Sequence, residues 1–351
     1  MLRSREFFGR VLKRFPPCDL VVAYGSGVMK QAGSSKTEQP MLDLIFAVPD
    51  AREWHKDNLA LNRSDYAWPL SLFSGGMVAN FQSIGGAQIL YHPYVDAPDL
   101  EPNGSGPPLQ LKYGVISAND LATDLRDWTT LFCSGRLHKP AVVLQQNPQF
   151  RRLLRFNLEA ALHTAVLLLP PKFSERDLYV SIAGLSYTGD PRFTIGAESS
   201  SKVSDLVDGN FVGFRTLYQA AIDRSDWVER VPDTDRAWPS SNLTPRRDVD
   251  HVQQLFCRSE KWTATRADNE ANGCSDILGC LPQNLRRNMA DTHSQEDSGD
   301  RLSVRVTSAL SRIVKRTMIV QNLKNVVAAG ISNSFRYVLA KLRKGRESRN
   351  R

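Results

Sequence analysis

The sequence has no apolar run long enough to cross a bilayer, and its cysteines form no metal-binding pattern. The longest apolar candidates, such as Ala160–Leu169, are interrupted or shorter than the roughly 18 residues that a spanning helix needs. The number of cysteines, five, is odd. None lies in a Cys-x-x-Cys pair or at a spacing from histidine that is typical of zinc sites. We therefore expect a protein that does not span the membrane, has no zinc site and works in a reducing compartment.

Acidic residues are nearly absent from the C-terminal segment. Residues 301–351 contain 13 of the 45 Lys and Arg residues but only one of the 37 acidic residues, Glu347. This segment therefore carries +12 and the first 300 residues carry −4, within a total of +8. Such a basic segment favours an anionic partner, either a nucleic acid or acidic lipid headgroups. The length of 351 residues and the 41% hydrophobic content indicate a globular protein of about two domains.

Two short apolar runs flank a glycine-rich turn near the N-terminus. Leu20–Tyr24 leads into the turn Gly25–Ser26–Gly27, and Met41–Val48 follows a polar loop and carries Asp43. Short apolar runs bounded by Gly and Pro predict buried strands. Glycines let backbone N–H groups approach phosphate oxygens, and a carboxylate on the neighbouring strand can hold Mg²⁺ against the same phosphates. We predict that Gly25, Ser26 and Gly27 bind a nucleotide and that Asp43 binds Mg²⁺; the alternative is an ordinary turn between two core strands.

This pattern resembles the signature of the nucleotidyltransferase superfamily, in which a Gly-Ser turn precedes a strand that bears a metal-binding acid. That signature commonly has a second acid two residues after the first, where this chain has Ile45. A second metal ligand must then come from elsewhere. Asp190, in a turn with Gly and Pro, is the candidate, although a salt bridge with Arg192 is the favoured alternative.

Four other residues are candidates for phosphate contacts. Lys112 lies in a predicted strand, Leu111–Ile116, and is assigned to catalysis with Asp43 because its ammonium group can offset phosphate charge. Arg136 and Lys139 follow a predicted helix over 120–131 that ends by residue 135, so they either bind the nucleotide or stabilise the helix C-terminus. His55 lies in a predicted helix after the second strand and is assigned to the nucleotide, with a structural role as its alternative.

The apolar and helical patterns divide the chain into four segments. We predict a mixed sheet domain over residues 1–150. Its Arg-rich first segment is either a targeting segment or a helix that packs on the core. Residues 151–231 predict a smaller helical domain, with a helix over 150–170 and a capping box at Ser174 and Asp177 that opens a helix ending near Gly184. Residues 232–300 are polar and predict a partly disordered insertion.

The C-terminal segment, residues 301–351, has an amphipathic pattern. Apolar residues recur at three- and four-residue steps over 326–342, and cations lie at the end of this stretch. The preceding segment is also basic, through Arg312, Lys315, Arg316 and Lys324, which favours membrane contact. This composition is typical of an interfacial membrane helix, and its alternative is a terminal helix packed on the core. The predicted membrane-binding residues are Phe335, Arg336, Val338, Leu339, Lys341, Leu342, Arg343 and Lys344.

Taken together, the motifs resemble the mitochondrial phosphatidate cytidylyltransferases, also called translocator assembly and maintenance proteins. The resemblance covers most of the chain except residues 96–108 and 232–300, with a weaker match in LPQNL at 281–285. The matching runs are AYGSGVMKQAG at 23–33, MLDLIFAV at 41–48, EWHKDNL at 53–59, KYGVIS at 112–117, the run at 124–140, and LPPKFSERDLYVSIAGLSYTGDPRF at 169–193.

The resemblance implies an α+β fold, with a nucleotidyltransferase-type mixed sheet domain, a smaller winged-helix-like helical domain and a C-terminal amphipathic helix. It implies that CTP and phosphatidic acid give CDP-diacylglycerol and pyrophosphate, with Mg²⁺ as cofactor, for cardiolipin synthesis. It also implies a peripheral protein on the matrix side of the mitochondrial inner membrane that contacts anionic lipids, with no nucleic acid expected as partner.

Two other functions remain open from the sequence alone. A nucleotidyltransferase that acts on RNA would use the basic tail, although no aromatic stacking set or RNA-binding motif is present. A non-catalytic membrane-associated assembly scaffold is kept open by the missing acid at Ile45.

Overall fold

The computed structural model describes residues 4–25, 27–28, 41–100, 109–170, 172–194, 199, 201–225, 227–231, 261–263, 277–291 and 302–329. Across these ranges, none of the helices combines the length and the apolar character of a membrane span. Ser26, the predicted membrane-binding residues at 335–344 and most of the polar region 232–300 lie outside the described residues.

A five-stranded mixed sheet forms the first half of the fold. Its order is β3–β4–β2–β1–β5; β2 and β4 are parallel, and the other neighbours are antiparallel. Both strands predicted around the glycine turn are confirmed, as is the strand predicted at 111–116. The strands are β1 Leu20–Tyr24, β2 Leu42–Val48, β3 Ile89–Asp96, β4 Gln110–Ser117 and β5 Val142–Gln146.

The sheet is buried on both faces, as the continuous apolar runs of its central strands predict. On β2, Leu44 and Phe46 point to one side, and Ile45 and Ala47 point to the other. The first side is covered by α1 (Arg5–Lys13) and by α2 (Ala51–Leu61). The alternative reading of the N-terminal segment as a core-packing helix is thus confirmed, because α1 buries its aromatic and aliphatic side chains on the sheet.

The second side of the sheet shares one hydrophobic core with the helical half of the chain. Leu20 and Ile45 of the sheet belong to the same cluster as Leu162, Tyr179 and Leu310 of the helices. The mixture of one large sheet with many helices confirms the predicted α+β class. The remaining helices are α3 Gly75–Ser83, α4 Ala118–Asp127, α5 Cys133–Arg136, α6 Pro148–Leu168, α7 Glu175–Gly184, α8 Pro191–Thr194, α9 Lys202–Gly209, α10 Phe211–Asp223, α11 Gln283–Ala290 and α12 Leu302–Ala329.

Shorter elements complete the described fold. A three-stranded antiparallel sheet joins β6 (Lys172–Ser174), β7 (Glu229–Val231) and β8 (Lys261–Thr263) in the order β6–β8–β7. The capping box at the start of α7 is confirmed, since Ser174 and Asp177 bond reciprocally. Single 3₁₀ turns occur at Arg63–Asp65, Leu70–Leu72, Pro98–Leu100 and Leu185–Tyr187.

One predicted helical boundary is wrong. The helix predicted to end by residue 135 ends at Asp127, because Trp128 adopts a left-handed conformation with φ of 55°. Residues 302–329, the described part of the C-terminal segment, form α12, which buries one face, including Val306, Leu310 and Met318, against the rest of the protein. The packing of α12 against the protein stabilises this long helix more than the intrinsic helix propensity of its residues does.

Candidate functional site

A carboxylate and an ammonium group meet at one end of the large sheet. The parallel register of β2 and β4 places Asp43 directly beside Lys112, and Nζ of Lys112 lies 3.2 Å from Oδ1 of Asp43. Tyr24, the last residue of β1, is the antiparallel partner of Asp43. The structure thus brings together the two residues that the sequence assigned to catalysis.

The glycine turn lies against this carboxylate. Gly25 has φ of +77°, which only glycine adopts at low cost, and a Cβ there would lie 2.7 Å from Oδ2 of Asp43. A Cβ at Gly27 would lie 2.4 Å from the carbonyl oxygen of Met41, just before β2. Both glycines are therefore required by close approach of the turn to the start of β2. The turn predicted to bind phosphate is adjacent to the residue predicted to bind the metal.

Tyr91 forms the floor beside Lys112. Its ring lies across Gly114 of β4, where a Cβ would come within 2.7 Å of the ring. Nζ of Lys112 lies 5.1 Å from the ring centroid, and the hydroxyl groups of Tyr24 and Tyr91 are 3.3 Å apart. Burial raises the pKa of Tyr91 to about 12 and the pKa of Tyr24 above its ordinary value, so both phenols keep their protons and can donate.

Arg136 extends this cluster away from the sheet. Its guanidinium carbon lies 3.7 Å from the ring centroid of Phe132 and 6.0 Å from that of Tyr91. Its Nη1 donates to the carbonyl oxygen of Phe132 at 2.8 Å. These contacts fix the orientation of the guanidinium plane through aromatic and carbonyl groups, none of which neutralises its charge.

Asp124 holds the loop that presents Arg136. Its buried carboxylate accepts hydrogen bonds from the backbone N–H groups of Thr130, Leu131 and Ser134 at 2.8 to 3.0 Å. Leu131 has φ of 52°, and the carboxylate compensates for the irregular backbone by satisfying the N–H groups that a helix would otherwise bond. The sequence gives no sign of this role, since an acid within a predicted helix ordinarily faces solvent.

Lys139 lies where α5 meets the helical half of the chain. Its ammonium group donates to the carbonyl of Gly135 and to the hydroxyl of Ser186, each at 2.8 Å, and lies 4.6 Å from the ring centroid of Tyr187. A Cβ at Gly135 would come within 2.2 Å of Cβ of Ser186, so this glycine permits the close contact. The bond to Gly135 joins Lys139 to α5, a different helix from the one that the sequence predicted over 120–131.

Positive charge accumulates around Lys139. Burial lowers its pKa well below the ordinary value, and the charges of Arg136, Lys202 and Arg192 lower it further. Lys202 shares the Tyr187 ring, at 5.6 Å from its centroid. In the described part of the chain, Arg136 and Lys139 contact carbonyl, hydroxyl and aromatic groups but no carboxylate. A half-buried cluster of cations is costly unless an anion joins it, so this arrangement favours a phosphate-bearing ligand.

Asp190 pairs with Arg192, as the favoured alternative predicts. Its buried carboxylate accepts hydrogen bonds from Nε of Arg192 at 3.0 Å and from Nη2 at 2.6 Å. It also accepts one from the backbone N–H of Arg192. The guanidinium thus occupies both carboxylate oxygens. We therefore no longer assign Asp190 to the metal, because a metal would have to displace this bidentate pair.

His55 belongs to a buried polar network on the opposite side of the sheet. Its Nδ1 lies 2.8 Å from the hydroxyl of Tyr66, and its Nε2 lies 2.8 Å from Oε1 of Gln82. Burial lowers its pKa to about 4, so the ring is neutral near pH 7. Both ring nitrogens are already bonded, and this arrangement favours the structural alternative over the assignment to the nucleotide.

Asp43 is the residue of this site that can bind a metal ion. Oδ1 of Asp43 is buried and lies near Lys112, yet it receives no hydrogen bond, so one lone pair remains available. Among the described residues there is no group of three His, Cys, Asp or Glu side chains that could hold a metal. Mg²⁺ commonly uses one or two carboxylates and completes its coordination with substrate phosphates and water, so Asp43 fits this ion.

Several residues of this site were missed by sequence reasoning. Their signal was weak, because aromatic residues in strands and turns ordinarily belong to the core. The tyrosine before the glycine turn was the most accessible clue. The missed residues are Tyr24, Tyr91, Asp124, Phe132, Ser186, Tyr187 and Lys202.

Comparisons with known proteins identify the family of this chain. Residues 8–344 match the family model described as mitochondrial phosphatidate cytidylyltransferase. Proteins with that name are 32% identical in Schizosaccharomyces pombe, over 97% of this chain and 84% of the relative, and 35% identical in Danio rerio, over 97% and 95%. The Mus musculus protein of the same name is 34% identical over 95% of this chain and 93% of its own length. The chain therefore belongs to the mitochondrial phosphatidate cytidylyltransferase family.

Proposed function

We propose that this chain transfers the cytidylyl group of CTP to phosphatidic acid, which gives CDP-diacylglycerol and pyrophosphate. The observation that carries the proposal is the Asp43–Lys112 pair beside the left-handed Gly25, at the end of a mixed sheet. This is the arrangement expected of a nucleotidyltransferase domain. The family match supplies the substrate class, CTP and a lipid phosphate.

The reaction is a displacement at the α-phosphorus of CTP. An oxygen of the phosphatidate phosphate attacks this phosphorus, and a new P–O bond forms as the bond to the oxygen that bridges the α- and β-phosphates breaks. That oxygen keeps the electron pair and leaves with pyrophosphate. Since a phosphate monoester is already about 1.5 to 2 charges negative at pH 7, no strong general base is required.

The residues of the site supply position and charge. The N–H groups of the glycine turn contact phosphate oxygens, Lys112 and Arg136 offset their charge, and Lys139 extends this positive surface toward the second anionic substrate. Asp43 would hold Mg²⁺, which when bound supplies charge neutralisation on the phosphate oxygens. A site built on positioning and electrostatics suits a reaction of two anions that otherwise repel each other.

The finer features of the family are included in this proposal. We propose that residues 151–231 act as the winged-helix-like domain and that the protein binds peripherally to the matrix side of the inner membrane. Residues 335–344 would contact anionic lipids there. The product would then enter cardiolipin synthesis, for which CDP-diacylglycerol is the activated lipid.

The test is Mg²⁺-dependent pyrophosphate release by the purified protein with each ribonucleoside triphosphate, with and without phosphatidic acid in mixed micelles. We expect release with CTP and phosphatidic acid only, and a loss of at least about 100-fold in Asp43→Asn. Asp57→Asn is the matched control, because Asp57 is exposed on α2. Release that needs RNA in place of the lipid, or no release from folded wild-type protein, would contradict the proposal.

A further inference from the structure

The exposed face of α12 changes character along the helix. After Val304 and Thr307 near its start, the exposed residues over 312–316 are Arg312, Lys315 and Arg316, whereas over 319–327 they are apolar. The exposed fractions are 48% for Ile319, 67% for Leu323, 52% for Val326 and 44% for Val327. At 100° per residue these seven side chains lie on one face of the helix, and the apolar part extends for about 12 Å.

A second element adds to this apolar surface. Nζ of Lys324 is buried and donates to the carbonyl oxygens of Gln82 and Gly85, which flank Ile84. Ile84 is 60% exposed, and a Cβ at Gly85 would lie 3.3 Å from Val320 of α12. The turn after α3 is thus fixed against α12, with Ile84 in solvent beside it. Lys324, which the sequence grouped with the membrane-facing cations, therefore faces the protein interior.

We propose that Ile84, Ile319, Leu323, Val326 and Val327 form an apolar rim that inserts into an anionic bilayer. Four large aliphatic side chains on one short helical face are unusual for a surface exposed only to water. The cations at 312–316 continue the same face and complement anionic headgroups. The described part of the helix reaches Ala329 and so includes the start of the amphipathic pattern over 326–342. The rim would therefore form a second contact on folded protein.

The choice of a bilayer as partner rests on the proposed lipid substrate. Phosphatidic acid stays in the membrane because each exposed methylene costs about 0.8 kcal/mol, so the active site has to reach the lipid surface. A rim on α12 would fix the orientation of the site on that surface, whereas a terminal segment alone would act as a tether.

The test compares the full-length double variant Ile319→Ser/Leu323→Ser with wild type in flotation with vesicles, with and without anionic phospholipid, in the absence of CTP. We expect the partition coefficient on anionic vesicles to fall about tenfold or more. Phe156→Ser/Val212→Ser is the matched control, because both side chains are exposed on helices α6 and α10. The expected activity of the rim variant is normal on detergent-solubilised phosphatidic acid and reduced on vesicles, which separates this inference from the proposed function.

Proximity is measured with a photoreactive benzoyl-phenylalanine at position 323 or, as control, at position 212. We expect cross-linking to vesicle lipid from position 323 and little from position 212. Equal cross-linking at the two positions, or wild-type vesicle affinity in the folded double variant, would overturn the proposal. So would a rim substitution that changes the oligomeric state but not vesicle affinity, because it would assign the face to a second copy of the chain.

Discussion

Substituting Gly25 by Ala tests the link between the glycine turn and the carboxylate. A non-glycine residue at φ of +77° costs about 1 to 2 kcal/mol, and the new Cβ would lie 2.7 Å from Oδ2 of Asp43. Ordinary contact begins near 3.4 Å, so the carboxylate must retreat by roughly 0.7 Å. A displacement of this size at the reacting centre corresponds to a loss of about 100-fold. We therefore expect kcat/KM for CTP to fall about 100-fold.

The assay follows pyrophosphate release over a range of CTP concentrations, together with urea unfolding of each variant. The control is Gly9→Ala, because Gly9 lies in α1 and an added Cβ there would meet nothing within 4 Å beyond its chain neighbours and the backbone of its own helix. This substitution should stabilise the fold by about 0.5 to 1 kcal/mol without effect on turnover. Gly25→Ala should unfold about 1 to 2 kcal/mol more easily and still be folded in the assay. Turnover within threefold of wild type in Gly25→Ala would refute the proposed contact.

Three further predictions concern charge, packing and pH. Lys112→Met should keep the fold and lower kcat/KM by at least about 100-fold, measured by pyrophosphate release, because the charge beside Asp43 is lost. Asp124→Asn should lower the free energy of unfolding by about 2 to 4 kcal/mol in urea titrations, because the N–H of Ser134 then faces an amide NH2 group and the N–H groups of Thr130 and Leu131 keep only a neutral acceptor. Stability should also fall as the pH drops from about 6.5 toward 4, by up to about 1.4 kcal/mol per pH unit for each buried histidine, since the unfolded chain takes up protons that the folded chain does not. Burial lowers the pKa values of these histidines to about 4 for His55 and about 3 for His92 and His138.

Each of these predictions has its own control. Lys56→Met removes an exposed lysine on α2. Normal turnover in this variant would show that the loss of a positive charge elsewhere on the surface does not lower kcat/KM. Asp57→Asn should leave stability within about 0.5 kcal/mol of wild type, as expected for an exposed side chain. A urea midpoint that stays constant from pH 7 to pH 5 would contradict the assignment of neutral, buried imidazoles.

The sequence was sufficient to predict the parts of the site that depend on local pattern. Both strands around the glycine turn, the strand with Lys112 and the capping box of α7 follow from short periodic runs and turn residues. The adjacency of Asp43 and Lys112 does not, because their strands are parallel neighbours separated by a long crossover, and register is set by tertiary packing.

Side-chain partners outside the local pattern could not be predicted. Asp124 ends a helix by binding the backbone of the loop that follows it, and His55 finds both partners in residues distant in sequence. Lys324 was interpreted as a membrane-facing cation but caps the turn after α3 from inside the fold. In each case, a polar side chain is buried because a specific partner satisfies it, and only the fold brings that partner close.

The most direct test of the central claim is the destination of each phosphorus atom of CTP. Purified protein is supplied with phosphatidic acid, Mg²⁺ and CTP that carries a radioactive label at either the α- or the γ-phosphorus, and the lipid fraction is counted. We predict that the α-label moves into the lipid and the γ-label leaves as pyrophosphate, with neither transfer in Asp43→Asn. Recovery of the γ-label in the lipid, or unlabelled lipid with both substrates present, would contradict the account.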